Sequence, residues 1–465
     1  MNIVIIGGGG VGYELARNLS GKEQDVVIIE RDPERAKMLN ERLDVMVVEG
    51  NGANVSILQK AGINKAAMLI AVTHIDEVNI IACMVAKRLG VKFTVARVRD
   101  AEYFEKSHTL IQEQMGIDYV INPEKAAAME ISKIIHFPDA TDIEYFAQGK
   151  VMMVGMIADE KAGITNQSLT ELPLPTGCII VGISRPGGKF LVPDGSDMIK
   201  PGDKIYLQGK ANVLRDVSGM LHHEHLKVQR VTILGGGMTG FRLASILESD
   251  KRGRSFSVKL VEKDTERCDE LSRSLSRTLI LQGDATDLSF FKEEEIEDAD
   301  VLVAGSRDDR TNLLAGVLGK QMGVKKVVSV VTNLEYMPIF SKLGIDSVVN
   351  PHLITAAQIL RFTHTENVVG LSVLQDENAE VVELILPGNS PMVGKKMKKA
   401  PFPRGMIIGT IVRGDEVIVP HGETVLKSQD RLIIFALPRI SQQLDNLFVN
   451  NHKEQEKKGW LSRRR

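Results

Sequence analysis

The sequence predicts an α/β protein with two doubly wound parallel sheets, each followed by a small α+β domain. Three observations predict it. The chain opens MNIVIIGGGGVGYELARNLSGKEQDVVIIE: a buried-strand pattern, a glycine turn, a helical pattern, and a second strand ending in a carboxylate. That opening returns in the second half with its landmarks in the same order. Each repeat alternates apolar β-rich runs with helical patterns, the texture of βαβ units, and then gives way to short alternating β-runs broken by Gly and Pro.

In the opening stretch, Gly7, Gly9 and Gly12 fit G-x-G-x-x-G where Ile3 to Ile6 hand over to a helix expected across Val11 to Leu19. A glycine pattern in that setting is a Rossmann-type dinucleotide fingerprint. Gly7 permits the tight turn, Gly9 lets backbone N–H groups approach a pyrophosphate, and Gly12 lets the helix pack close to the strand. The Gly10 and Val11 amides fall at the helix N-terminus, where free donors and the positive dipole end favour an anion. Glu30, 18 residues beyond Gly12, closes the second strand, where a carboxylate accepts from ribose hydroxyls. Strands are expected near 2–7, 25–30, 44–49, 67–73, 92–98 and 118–121. The helix after the fourth carries Val78, Ile81, Ala82, Val85 and Leu89, an apolar stripe suited to the sheet or to a partner subunit.

Internal repeats decide the fold, so the echo matters. VTILGGGMTGFRLA places Gly235, Gly237 and Gly240 in the three glycine positions and Glu262 in the acid position. Gly50-Asn51-Gly52 answers Gly283-Asp284-Ala285, Asp76 and Asn79 answer Asp309 and Asn312, and GIDYVINPE answers GIDSVVNPH. The offset is 228 from Gly7 to Gly235, 233 from Gly50 to Gly283 and 228 again from Asn122 to Asn350, so only short insertions separate the copies. The small domains repeat as well. Phe190-Leu191-Val192-Pro193-Asp194-Gly195 matches Val417-Ile418-Val419-Pro420-His421-Gly422. The expected boundaries are 1–140 and 231–365 for the nucleotide-binding domains, 141–218 and 366–448 for the small domains, 219–230 for a polar linker, and 449–465 for a basic flexible tail.

Composition narrows the function classes. A chain of 465 residues exceeds a single core and suggests several domains. A formal charge of −2 with interspersed signs gives no reason to expect a nucleic-acid partner. Cys83, Cys178 and Cys268 stand far apart, so no disulfide framework or cysteine metal site is indicated, as suits a reducing cytosol. The chain begins on a core strand, leaving no room for a signal peptide, and the strongest apolar run, Val151 to Ala158, is far short of a membrane span. The expected location is therefore cytoplasmic, with any membrane association peripheral.

Catalytic chemistry finds no anchor. P-loop, G-x-S-x-G and H-E-x-x-H patterns are absent from the sequence. Tyr206-x-x-x-Lys210 has dehydrogenase spacing, but Tyr206 falls in a strand pattern and Gly209 breaks any helix. His222-His223-Glu224-His225 runs consecutively in the linker rather than at i, i+4, so no metal site is assigned. A dehydrogenase needs a domain that brings an acid or base to the nicotinamide. This chain instead repeats its first half, which favours binding over turnover.

The glycine-turn unit joined to a small β-rich domain with the V-P-x-G turn resembles the RCK (regulator of potassium conductance) family. Two tandem copies over about 1–448 resemble the regulatory subunits of bacterial Trk potassium-uptake systems. The resemblance implies a non-enzymatic homo-oligomer, a tetrameric gating ring lying on the cytoplasmic face of the inner membrane beneath a separate potassium-translocating subunit. It implies NAD(H), with ATP or ADP at the same sites, as the ligand whose binding reshapes the ring. It also places Asn51 and Asp284 at the adenosine end of the ligand, and Thr73 is expected near the phosphates or ribose. Two other readings stay open: an NAD-dependent oxidoreductase, and a cytosolic nucleotide-binding assembly protein with no membrane partner.

The copies differ chemically. Arg97 and Arg99 end the fifth strand of the first, and the matching positions in the second are Val330 and Thr332. An arginine at the carboxyl edge of the sheet can fork onto a phosphate, so the first copy is expected to be the main site. Asn51 both donates and accepts where Asp284 only accepts, so ligand preference is expected to differ between the copies.

Overall fold

The computed structural model describes residues 2–448 except 21–23, 101–114, 161–163, 187–188, 211, 215–216, 218–225, 251–255, 361, 363–367, 375–378 and 442–443. The His222–His225 run and the basic tail lie outside the described residues. The chain forms two compact units, Met1–His136 with Lys227–Leu360 and Phe137–Leu226 with Arg361–Arg465. Like packs with like: each unit takes one domain from each half of the sequence.

The first unit holds two Rossmann lobes. In the first lobe, β1 (Asn2–Ile6), β2 (Asp25–Glu30), β3 (Met46–Glu49), β4 (Met68–Ala71), β5 (Phe93–Arg97) and β6 (Tyr119–Ile121) form a parallel sheet of order 3-2-1-4-5-6. Between them run α1 (Gly10–Ser20), α2 (Pro33–Arg42), α3 (Val55–Lys60) and α4 (Asp76–Arg88), and α5 (Pro123–His136) follows β6. Ile3 to Ile6 are buried, as a strand covered on both faces requires. Asp32 caps α2 by accepting from the Arg35 amide at 3.0 Å, with Pro33 at the first helical position. The strand order reverses between β1 and β4, which opens a crevice at their carboxyl ends.

Continuing the numbering, β7 (Ala140–Phe146), β8 (Val151–Ile157), β9 (Cys178–Arg185), β10 (Lys189–Leu191) and β11 (Lys204–Lys210) make the first small domain, an antiparallel sheet. The second lobe repeats the first with β12 (Arg230–Leu234), β13 (Ser257–Glu262), β14 (Leu279–Gln282), β15 (Val301–Ala304), β16 (Lys326–Val330) and β17 (Ser347–Val349) in the same order. Its helices are α6 (Met238–Glu248), α7 (Thr265–Ser274), α8 (Leu288–Glu293), α9 (Asp309–Gln321), α10 (Met337–Lys342) and α11 (Pro351–Leu360). The second small domain adds β18 (Val368–Leu374), β19 (Ala379–Ile385), β20 (Met406–Arg413), β21 (Glu416–Ile418) and β22 (Arg431–Ala436). The predicted fold class is borne out. Among the described residues no helix is long and apolar enough to cross a membrane.

The helices after each Asn-Pro tie the two lobes together, α11 packing on α1 and α5, and α5 on α6. At the end of α5 the His136 ring is hydrogen-bonded through Nδ1 to the Ser132 carbonyl at 2.6 Å and through Nε2 to Asp250 at 2.7 Å, with Phe256 edge-on at 5.3 Å. Both side chains of this pair are buried. In the second unit, Gln208 donates to the Thr410 hydroxyl at 2.8 Å inside a joint core where Phe190 stacks on Phe435 at 5.5 Å. The stripe on α4 divides: Ala82 is buried against the sheet, while Ile81 and its repeat partner Leu314 on α9 are exposed.

Removing one partner of a buried polar pair strands the other away from water. Asp250→Ala is expected to lower the unfolding free energy of the first unit by about 3 kcal/mol in denaturant titration of the full chain. Lys396→Ala, which breaks an exposed pair with Glu423, is expected to leave it unchanged. Equal midpoints for the two variants would count against the lobe lock.

Candidate nucleotide-binding site

The crevice of the first lobe is built on one close approach. A Cβ on Gly12 would stand 1.9 Å from the Gly7 carbonyl oxygen, and Gly7 itself has φ of 96° with Thr73 atoms 3.1 Å from any Cβ it carried. Only glycine satisfies both conditions, and α1 therefore starts directly over the end of β1. The second lobe repeats the device: a Cβ on Gly240 would stand 2.0 Å from the Gly235 carbonyl, and Gly235 has φ of 109°. Gly9 and Gly237 face open space, with nothing within 4 Å of an added Cβ.

Glu30 is buried and turned into the glycine loop. Oε2 accepts from the Gly8 amide at 2.7 Å, and Oε1 from the Arg31 and Asp32 amides at 2.7 and 2.9 Å. Glu262 repeats this with Gly236, Lys263 and Asp264. The acid expected to meet a ribose thus first braces the turn. Asn51 and Asp284 each follow an edge strand and cap their own loop, accepting from the Ala53 amide at 3.0 Å and the Thr286 amide at 2.8 Å. The Thr286 hydroxyl and amide hold the Asp284 carboxyl below its ordinary pKa.

Across the crevice, Thr73 abuts Gly7, and its hydroxyl bonds to Asn79 Oδ1 at 2.7 Å. Asn79 also donates to the Thr73 and Arg97 carbonyls, and Asp76 accepts from the Arg99 and Asp100 amides, so these two repeat landmarks fix the loops after β4 and β5. Asn312 and Asp309 do the same in the second lobe.

Arg97 ends β5 with its side chain 14% exposed and a distant pairing to Glu124 at 3.8 Å. Its buried Nε has no hydrogen-bond partner among the described residues, and burial pushes its pKa down. Two residues that the sequence reading missed belong here. His352, at the start of α11, comes from the other lobe and lies against Gly10. Arg267 supplies cationic charge to the second crevice, donating from Nε to the Gly236 carbonyl at 2.8 Å, with its guanidinium 5.8 Å from the Phe241 ring centroid. The repeat alignment sets His352 opposite Glu124, a visible charge change whose position at the crevice has no local signature.

The family model described as the TrkA-N domain matches residues 3–123 and 231–351, and the TrkA-C domain matches 154–222 and 381–449. The chain is 37% identical to a Trk system potassium uptake protein TrkA homolog of Methanosarcina mazei, over 96% of this chain and all of that one. It is 34% identical to Trk system potassium uptake protein TrkA of Azorhizobium caulinodans, over 96% of this chain and 98% of that one. Among solved structures, the GsuK RCK domain (TM-score 0.60, 20% identity, 96% of this chain and 94% of that one) and the GsuK channel bound to NAD (TM-score 0.62, 20% identity, 96% and 78%) share the fold. With both domain models matched twice and the relatives aligned nearly end to end, the chain belongs to the TrkA family, built of tandem TrkA-N and TrkA-C domains.

Proposed function

We propose that the chain is a nucleotide-binding regulatory subunit of a potassium-uptake system, a sensor rather than an enzyme. NAD(H), with ATP or ADP as competing ligands, occupies the first lobe's crevice. The second lobe binds an adenosine-type ligand more weakly or differently. The bound state is passed to a membrane potassium-translocating partner by a homo-oligomeric, tetrameric ring on the cytoplasmic face of the inner membrane. The relatives' names support the potassium system, and the fold shared with a channel solved with NAD supports the ligand class.

One observation carries the ligand reading: a buried arginine with an unfilled donor beside an open glycine turn. Among the described residues, Arg97 Nε has no hydrogen-bond partner and nothing stands within 4 Å of a Cβ on Gly9. A buried polar group is normally hydrogen-bonded, and a forked cation at the carboxyl edge of a doubly wound sheet suits a phosphate. Glu30 uses three of its roughly four acceptor positions on backbone amides, which leaves one for a ribose hydroxyl. In the second lobe Val330 replaces Arg97, so that cation is missing there, while Arg267 on the Gly236 carbonyl has its repeat counterpart in Arg35 of the first lobe. Regulation then requires that the ligand bind one arrangement of the lobes better than another, because equal affinity would shift nothing.

Thermal-shift titration of the full chain with NADH, NAD, ATP and ADP is expected to raise the midpoint in a ligand-selective way. Gly9→Ala is expected to fold with an unchanged midpoint and lose that shift, since its methyl group fills only open space. Gly12→Ala is expected to lower the midpoint without any ligand. Arg97→Ala is expected to weaken binding by roughly ten- to a hundredfold, the worth of a charged hydrogen bond. An affinity for Arg97→Ala equal to that of a distant surface variant would sink the assignment. Co-purification of the full chain with a multi-pass potassium transporter tests the partner, and its failure would return the chain to the class of stand-alone nucleotide-binding assemblies.

A further inference from the structure

The N-terminal turn of α11 reaches from the second lobe into the first lobe's crevice. Asn350 fixes that turn, its Oδ1 accepting from the His352 amide at 2.8 Å and the Leu353 amide at 3.0 Å. The imidazole is thereby pressed on the first residue of α1: a Cβ on Gly10 would lie 2.3 Å from Nδ1 and 2.7 Å from Cε1. Met238 stands at the repeat position of Gly10, so this close contact depends on a glycine that only the first copy has.

The charged surroundings of the ring are mixed. Arg97 faces it from β5 and Asp309 from α9, and the Thr332 carbonyl accepts from it. Glu124 of α5 stands beyond Arg97 at 3.8 Å. Glu14, one turn further along α1, is buried, bound to Arg17 at 2.6 Å, and has its pKa raised by burial. Burial, with Arg97 as the next cause, holds the His352 pKa below its ordinary value and so favours the neutral ring in the free protein.

We infer that His352 is a phosphate-contacting residue of the first lobe's crevice supplied by the second lobe, and that the pyrophosphate of a dinucleotide is held between the α1 N-terminus, Arg97 and a His352 that takes up one proton on binding. This rests on the nucleotide reading of that crevice. A pyrophosphate diester brings two negative charges next to the ring and offsets the arginine that disfavours its cation. The proton comes from solvent and no covalent bond changes. The sign follows by linkage. The ring is neutral in the free protein above its lowered pKa and protonated in the complex below its raised one. Affinity is therefore highest at the acid end and falls as pH rises through the raised value, by up to about tenfold per unit. Because each lobe supplies part of the enclosure, the ligand also reports whether the lobes are closed on one another, a differential contact of the kind regulation needs.

The test is calorimetric titration of the full chain with NADH and NAD between pH 6.5 and 8, in two buffers of different ionisation enthalpy. The pyrophosphate diester does not titrate in this window, so an exchanged proton belongs to the protein. The wild type is expected to take up close to one proton per ligand where the linkage is steepest and to lose up to about tenfold in affinity from pH 7 to pH 8. His352→Gln is expected to abolish both effects and bind at pH 6.5 as weakly as the wild type does at pH 8. His352→Lys, permanently charged, is expected to hold its affinity across the range. Wild-type binding without proton uptake overturns the inference, as does a pH slope that survives in His352→Gln. Loss of affinity in Arg97→Ala alongside a wild type without pH slope keeps the crevice and discards His352. A wild type that binds neither dinucleotide discards the crevice reading and this inference with it.

Discussion

The approach of α1 to the end of β1 is the constraint on which the first unit depends. With the Gly12 Cα resting on the Gly7 carbonyl, α1 enters directly over the end of β1, and the Gly8 amide in the turn between them has no strand or helix partner of its own. A buried amide needs an acceptor, and Glu30 provides it from the end of β2 at 2.7 Å. The same carboxylate takes the Arg31 and Asp32 amides and so sets the start of α2. One close contact between two glycines thereby fixes the turn, the orientation of the acid and the entry to the next helix. That the second lobe repeats every member, from Gly240 on Gly235 to Glu262 on Gly236, shows that the set works as one device.

Pairing of like domains has a consequence for how a ligand could be felt. The two lobes meet through α1, α5, α6 and α11, of which α1 and α6 begin at the crevices and α5 and α11 directly follow the last strand of each sheet. The interface that carries the His136–Asp250 lock at one end of α5 carries His352 and Gly10 at the start of α11. Any change at the glycine turn of the first lobe is thus a change at the lobe interface. The second unit is joined differently, through aromatic packing around Phe435 and the buried Gln208–Thr410 bond, which suits a fixed pairing rather than an adjustable one.

Much of this could be read from the sequence, for a physical reason. Glycine spacing, a strand-terminal acid and runs buried on both faces are local consequences of local geometry, so Gly7, Gly12 and Glu30 announce themselves. The duplication located Asp76, Asn79 and their partners as landmarks, although their work, holding the loops after β4 and β5, emerges only from their bonds. What could not be read depends on contacts between distant parts of the chain. His136 meets Asp250 across 114 positions, and no periodicity encodes the meeting. His352 looked like one more residue of a repeated Asn-Pro turn, and Arg267 like one more exposed helix position. The spacing that sets Glu30 at a ribose position carries no sign of the three backbone amides that it also accepts from.

The two crevices share a scaffold and differ in charge, and the difference bears on how such a chain can act as a sensor. Identical lobes filled by the same ligand would leave their pairing symmetric, and the ligand could report only its concentration. Here the first crevice has Arg97 at the end of β5 and the His352 ring of the opposite lobe against Gly10, whereas the second has Val330 at the position of Arg97. On the proposed reading, a ligand in the first crevice gains contacts only when α11 is seated on α1, and a ligand in the second gains nothing from that seating. Coupling to closure therefore belongs to the first site alone: its occupancy stabilises lobe closure, and by reciprocity anything that closes the lobes tightens it. On that reading duplication supplied two equal clefts, and a glycine at position 10, a histidine at 352 and the missing arginine at 330 set the first apart as the one coupled to lobe closure.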